Sequence, residues 1–194
     1  QRSKAKGEDA LRHGQLDLTI LRPSVIFGAG DRFLNLFARL QSVFPVMPLA
    51  GASARFQPVW VQDVAAAVIA CLRDTGLPMS SVGQTFECAG PEVLTLGELV
   101  RLAGRHGSRE RPILPLPMAV GRLQALMMEL APGEPLMSRD NLAAMSVDNV
   151  ATGQWPGLSS LGITPSSVHA IAPGYLGTRG GRSRLTEYRK STGS

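Results

Sequence analysis

Cysteine is almost missing from this chain, with two in 194 residues. Cys71 and Cys88 sit in apolar stretches and do not form a Cys-x-x-Cys pair, which argues against zinc or thioredoxin-type chemistry. Both read as small buried hydrophobes of a reducing compartment. Histidine is nearly as scarce. His13, His106 and His169 have no nucleophile or carboxylate at a motif spacing, so no hydrolytic triad is legible. Aromatic residues make up only 5% and are not interleaved with the basic ones, as single-strand nucleic-acid binders require. No nucleic-acid partner and no metal site is therefore expected. The longest apolar run, near residues 64–72, is far too short to cross a bilayer. The opening Gln1-Arg2-Ser3-Lys4 carries neither Met nor an apolar segment. No signal peptide is visible there, and the natural protein is expected to begin earlier.

What is present is a globular composition, 44% hydrophobic with a net charge of +5. The positive charge gathers in two places, Arg101, Arg105, Arg109 and Arg111, and then Arg179, Arg182, Arg184, Arg189 and Lys190. These read as a solvated helix end and a solubilising tail, and the residues after Gly177 as a disordered basic extension.

The element order predicted from pattern alternates helix and strand. A charged helix over 3–13 stops at Gly14, and a strand over 16–21 is closed by Arg22-Pro23, since proline cannot donate to a ladder. Residues 24–31 read as a loop. Phe33, Leu36, Phe37 and Leu40 set a helix over 32–43, broken by Pro45 and Pro48. A second strand is predicted over 56–61, then a helix over 63–73 buried on most sides, capped by Asp63. A third strand follows at 84–88. Thr95 and Glu98 form a capping box opening a helix to about residue 105. Residues 112–117 are extended, 118–130 and 138–145 helical, 147–149 extended, and 166–175 a last short helix. Met118, Met127, Met128 and Met137 read as core filling. Such alternation predicts an α/β parallel sheet. Three long strands fall short of the roughly six of a doubly wound sheet, so a piece of such a sheet is expected.

Three segments carry a resemblance. Leu21-Arg22-Pro23-Ser24-Val25-Ile26-Phe27-Gly28-Ala29-Gly30-Asp31 is similar to the L-R-P-x-x-x-[FY]-G-x-G-D segment of extended short-chain dehydrogenase/reductases. Phe56 to Ala65 resembles the family's [FY]-x-[PFY]-[IV]-x-V-x-D-V-A segment. Gln84 to Pro91 with Leu94 to Leu99 resembles its strand-Gly-Pro-helix framework. The segment Leu136 to Leu142 followed by Asp148-Asn149 narrows the likeness to the atypical, epimerase/dehydratase-like branch around the NAD(P)H-binding accessory subunit of respiratory complex I. Ser3-Lys4-Ala5-Lys6 resembles the residues just after the catalytic tyrosine in the family's Y-x-x-x-K helix, with the tyrosine falling just before Gln1. Residues four apart share a helix face, so ammonium and phenol would meet, and the cation would lower the phenol pKa.

The resemblance implies the C-terminal part of a Rossmann-type doubly wound parallel sheet over residues 1–94, a small mostly helical substrate-side subdomain over 95–176, and a tail over 177–194. It implies NADP or NAD as cofactor, with Lys4 catalytic and Lys4, Pro23, Ser24 and Val25 meeting the nicotinamide half. Phe27, Gly28, Arg55 and Gln57 are expected beside an unidentified small-molecule substrate. The expected function is an NAD(P)-binding oxidoreductase or epimerase, inactive in this truncated form. The alternative is a non-catalytic NADPH-binding assembly or accessory protein. On either reading the protein is expected to be cytoplasmic or peripheral at the inner membrane, with association to a membrane or respiratory complex.

Overall fold

The computed structural model describes residues 7–8, 11, 16–73, 80–107, 109–117, 119–121 and 147–176. Lys4 with most of its expected helix, the Met-rich helix after Pro117, the helix over 138–145 and the basic tail lie outside the described residues.

Two parallel strands frame the part of the fold that matters most. β1 (Ile20–Pro23) pairs with β6 (Thr85–Cys88) in register Ile20↔Thr85 to Pro23↔Cys88. Ile20 N–H donates to the Gln84 carbonyl at 2.9 Å and Ser24 N–H to the Cys88 carbonyl at 3.0 Å. Even-numbered positions thus face β6. Pro23, which has no N–H, falls on the opposite edge and takes no bond from this ladder. The strand begins four residues later than its apolar pattern predicts and ends where the proline predicts.

The single strand expected over 56–61 is instead two short ones that serve different partners. β4 (Arg55–Phe56) pairs antiparallel with β7 (Leu94–Thr95). β5 (Val59–Trp60) pairs parallel with β2 (Ile26–Phe27), inside what the pattern reads as a loop. Pro58 sits at the switch, where the chain must leave one ladder for another. The Pro58 carbonyl lies so close to Gly90 that a Cβ there would overlap it, which fixes glycine at that position. A further strand appears where the pattern shows only a helix break: β3 (Met47–Ala50) pairs parallel with β8 (Ile113–Leu116). Met47 N–H donates to the Pro112 carbonyl at 2.9 Å. Pro48, one position on, faces away from the ladder and does not break it.

The larger core gathers Phe27, Phe37, Leu49 and Phe56 with Leu96, Leu99 and Val168. It lies mainly between α1 (Leu34–Val43) and α3 (Leu96–Gly107). Buried Gln41 bridges these helices. Its Nε2 donates to the Val100 carbonyl at 2.7 Å, and its Oε1 accepts Arg111 N–H at 3.0 Å. The predicted capping box is present: Glu98 Oε2 accepts Thr95 N–H at 2.7 Å, and Glu98 N–H donates to Thr95 Oγ1 at 3.2 Å.

A smaller core of Val59, Ala67, Phe86, Cys88, Leu158 and Leu161 lies between α2 (Val61–Arg73), β6 and a 3-10 helix (Leu158–Leu161). Two expectations for α2 fail here. The helix is not buried on most sides: Val61, Val68, Ile69 and Leu72 are 46%, 44%, 49% and 80% exposed. They share one stripe, while Val64, Ala67 and Cys71 cover the core. Nor does Asp63 cap α2, since the helix starts two residues earlier. Its carboxylate accepts instead from Ser166, N–H at 2.7 Å and Oγ at 3.1 Å. That bond fastens α2 to the segment leading into α4 (Val168–Ile171) and α5 (Pro173–Leu176).

Candidate functional site

Ligands in parallel α/β sheets collect where strands end at their carboxyl edge, because the chains diverge there and leave a crevice. Such a cleft, of about 140 Å³, opens at the ends of β1 and β6. β1 and its exit contribute Arg22, Pro23 and Ser24, and β6 and its exit Glu87, Cys88 and Ala89. The third wall is a strap from a distant stretch of sequence, Asn149, Val150 and Ala151.

The strap is held at several points. Asn149 N–H donates to the Arg55 carbonyl at 2.7 Å, and the Asn149 carbonyl accepts Gln57 N–H at 3.0 Å. The same carbonyl accepts the Ser24 hydroxyl at 2.9 Å. Arg55 grips Asp148 through its own N–H at 2.8 Å and its guanidinium Nε at 2.9 Å. These donors, the backbone N–H foremost, hold the Asp148 carboxyl below its ordinary pKa. Gln57 Oε1 accepts Ala151 N–H at 2.9 Å while Nε2 donates to the Gly90 carbonyl at 2.8 Å.

Glu87 is the far anchor. Its Oε1 accepts Thr152 N–H at 3.0 Å and Thr152 Oγ1 at 2.6 Å, and its Oε2 accepts Gly153 N–H at 2.9 Å. Gly153 has φ +74°, a left-handed turn that favours glycine. Burial disfavours the Glu87 charge, but the Thr152 and Gly153 donors and the Arg22 cation outweigh it, so its pKa lies below the usual glutamate value. Arg22 itself pairs with Glu8 at 2.6 Å, and its guanidinium lies 5.5 Å from the Trp155 ring centroid. Cys88 lies fully buried at the cleft floor, where desolvation, with Cys71 nearby, pushes its thiol up to about 11.

The residues singled out from sequence fall into different roles. Lys4 lies outside the described residues. Pro23 and Ser24 line the cleft. Val25 offers its carbonyl to Val59 N–H at 3.0 Å and packs its side chain on the larger core. Phe27 is 1% exposed in that core. Gly28 and Asp31 brace a loop. Asp31 accepts Gly28 N–H at 3.1 Å, Phe33 N–H at 2.8 Å and the Tyr175 hydroxyl at 2.9 Å. Burial, with the Asp31 charge beside it, drives the Tyr175 phenol far above its ordinary pKa. A Cβ on Gly28 would stand 2.7 Å from Val61 Cγ1. Arg55 and Gln57 touch the cleft only through the strap they hold. Of the nine residues that line the cleft, the sequence reading marks only Pro23 and Ser24 as site residues. It takes Glu87, Cys88 and Ala89 as framework, and Asn149 only as part of a resemblance.

No family model matches the chain. It is 31% identical over 185 residues to the mitochondrial NADH dehydrogenase (ubiquinone) 1 alpha subcomplex subunit 9 of Arabidopsis thaliana, covering 90% of this chain and 45% of that protein. The Mus musculus protein of the same name is 35% identical over 167 residues, 85% of this chain and 43% of that one. The chain therefore spans about half the length of the curated relatives it matches. Among solved structures, dTDP-glucose 4,6-dehydratase from Bacillus anthracis in complex with NAD superposes with a TM-score of 0.53 at 14% identity, over 85% of this chain and 45% of that one. That likeness establishes the Rossmann-type α/β fold. Most of the chain is thus similar to the complex I subunit 9 proteins, and its parallel strands and motifs agree with the fold of extended short-chain dehydrogenase/reductases.

Proposed function

We propose that this chain supplies the nicotinamide-side half of a dinucleotide-binding protein, with NADP or NAD as ligand, and that its role is binding and assembly within a respiratory complex rather than turnover. The observation that carries this reading is the cleft at the carboxyl ends of β1 and β6, closed by the strap. At roughly 30 Å³ per water, about 140 Å³ holds four or five waters. That is the space of one substituted ring, not of a dinucleotide. Pro23, Ala89, Val150 and Ala151 offer apolar walls to such a ring. No Gly-x-Gly-x-x-Gly turn occurs in the sequence, so the phosphates would be held by residues beyond this chain. A bound nicotinamide would supply hydride chemistry; these residues would bind and orient it.

The binding reading is favoured over catalysis by the state of the cleft's own groups. Cys88 is held as a thiol. The Ser24 hydroxyl is spent on the Asn149 carbonyl. Glu87 is kept ionised by three donors. None is placed to pass a proton to or from a substrate. Catalysis would need Lys4 and a phenol one helical turn before it, and a small-molecule substrate beside the loop at 27–31. Among the described residues no helix is long and apolar enough to cross a membrane.

The test is direct. The protein from its whole open reading frame is titrated with NADPH and with NADH, following cofactor fluorescence, and hydrogen exchange is mapped in both states. Micromolar or tighter binding, with protection at 22–24 and 149–151, is expected. Absence of binding by either cofactor, or protection confined elsewhere, removes the reading. Consumption of cofactor with an added carbonyl substrate would favour the enzyme instead.

A further inference from the structure

Away from the cleft, one part of the surface combines apolar side chains with uncompensated positive charge. It forms where α1 ends and the β3–β8 ribbon begins. Val43 is 70% exposed, Phe44 49%, Val46 41% and Leu114 54%. The register Pro48↔Leu114 sets two exposed residues side by side, while Met47 and Leu49 turn into the larger core. The apolar tip is thus one patch drawn from two stretches of sequence. Exposed apolar side chains gathered in this way mark a contact surface, whereas scattered ones do not.

The rim of the tip is basic. Arg39 stands one helical turn before Val43 and is exposed, as is Arg109. Arg111 lies against the last turn of α1, its Nε donating to the Gln41 carbonyl at 3.1 Å, so its charge is held close to Val43 and Phe44. No Asp or Glu occurs from 32 to 62, and Glu110 alone occurs from 99 to 117. Arg105 takes Glu110 at 3.1 Å. The ribbon also resists an added strand. Met47 N–H donates to the Pro112 carbonyl, so 47 and 49 on one side and 112 and 114 on the other face the shared ladder. Pro48 and Pro115 then fall on the two outer edges, and each leaves its edge short of a donor.

We propose that this tip docks the protein on an anionic phospholipid surface. Phe44, with Val43 and Val46, enters the headgroup layer, and Arg39, Arg109 and Arg111 meet the lipid phosphates. A bilayer offers anionic oxygens and, just beneath them, apolar chains within reach of one side chain. An acidic protein face would have to supply a fitted apolar pocket as well. The cleft plays no part, so this surface and the ligand reading stand or fall separately.

The experiment uses the protein from its whole open reading frame, wild type, Phe44→Ser and the double variant Arg39→Gln with Arg109→Gln. Each is sedimented with vesicles of phosphatidylcholine alone or mixed with phosphatidylglycerol, and thermal denaturation checks folding. The wild type should sediment with the mixed vesicles and little with phosphatidylcholine. Its binding should fall several-fold as salt rises from about 0.1 to about 0.5 M. Each charge removed is expected to weaken binding about fivefold, and Phe44→Ser about tenfold. Melting temperatures should be unchanged, because all three side chains face solvent. A wild type that binds neither vesicle, or both equally and without regard to salt, overturns the proposal. So do variants that bind as the wild type does, the result expected if the basic residues at 179–190 carried the attraction.

Discussion

Glu87→Gln probes the strap where its geometry is best defined. The wild-type carboxylate accepts three hydrogen bonds, two on Oε1 and one on Oε2. Glutamine keeps an acceptor for Thr152 but sets an NH₂ group against Gly153 N–H, so one bond is lost and two lose their charge assistance. Charge-assisted hydrogen bonds contribute about 1.5–3 kcal/mol each when buried. This site is largely solvated, and screening reduces such interactions to a fraction of that. A total of about 1 kcal/mol is a fair expectation, equivalent to roughly 2–4 °C in melting temperature for a chain of this size. The loss should be local, because Arg55, Gln57 and Ser24 still hold residues 148–151. Hydrogen exchange at Thr152 and Gly153 should quicken several-fold while α3 is unchanged. The pH dependence is a matter of linkage. The folded pKa of Glu87 is depressed, so its contribution is complete above the ordinary glutamate value near 4.5 and fades as pH falls through the folded value. Wild-type protection at 152–153 should therefore decline below about pH 4.5, and the Gln variant should lack that decline. Unaltered exchange at Thr152 and Gly153 in the variant, or a uniform loss across the chain, would refute the latch argument.

Gly90→Ala should be among the most disruptive small changes. The new Cβ would overlap the Pro58 carbonyl, forcing the Pro58 link between β4 and β5 away from the chain leaving β6 at a cost of roughly 2–4 kcal/mol in urea denaturation. The 194-residue chain by itself is expected to self-associate or melt at low temperature, because β1 has one ladder partner among the described residues and α2 turns Val68, Ile69 and Leu72 outward. Sedimentation velocity reads this, and Leu72→Gln should reduce the association; a monomer with a sharp, concentration-independent transition would contradict the expectation.

Much of the fold is written in local pattern. Pro23 had to end β1, Thr95 and Glu98 had to open α3, and the apolar spacing at 33–40 placed α1, because each rests on contacts within a few residues. The motif around Leu21 to Asp31 and its downstream companions pointed to the family the relatives support. What local pattern could not reach were partners far apart in sequence. It missed β3 because prolines look like breakers until the ladder shows which edge they face. It made one strand of 56–61 because the change of partner at Pro58 depends on β2 and β7. It gave Asp63 to its own helix, whereas the group it holds is Ser166. It saw Arg55 and Gln57 as substrate neighbours, and found no role for Glu87 or Asn149, since Ser24 meets Asn149 across 125 residues and Glu87 meets Thr152 across 65. Periodicity and propensity report a residue's neighbours along the chain, so the sequence determined the main helices, β1 and the likeness to known proteins. The cleft's third wall exists only once the strap folds over the ends of β1 and β6, and that closure is a tertiary fact.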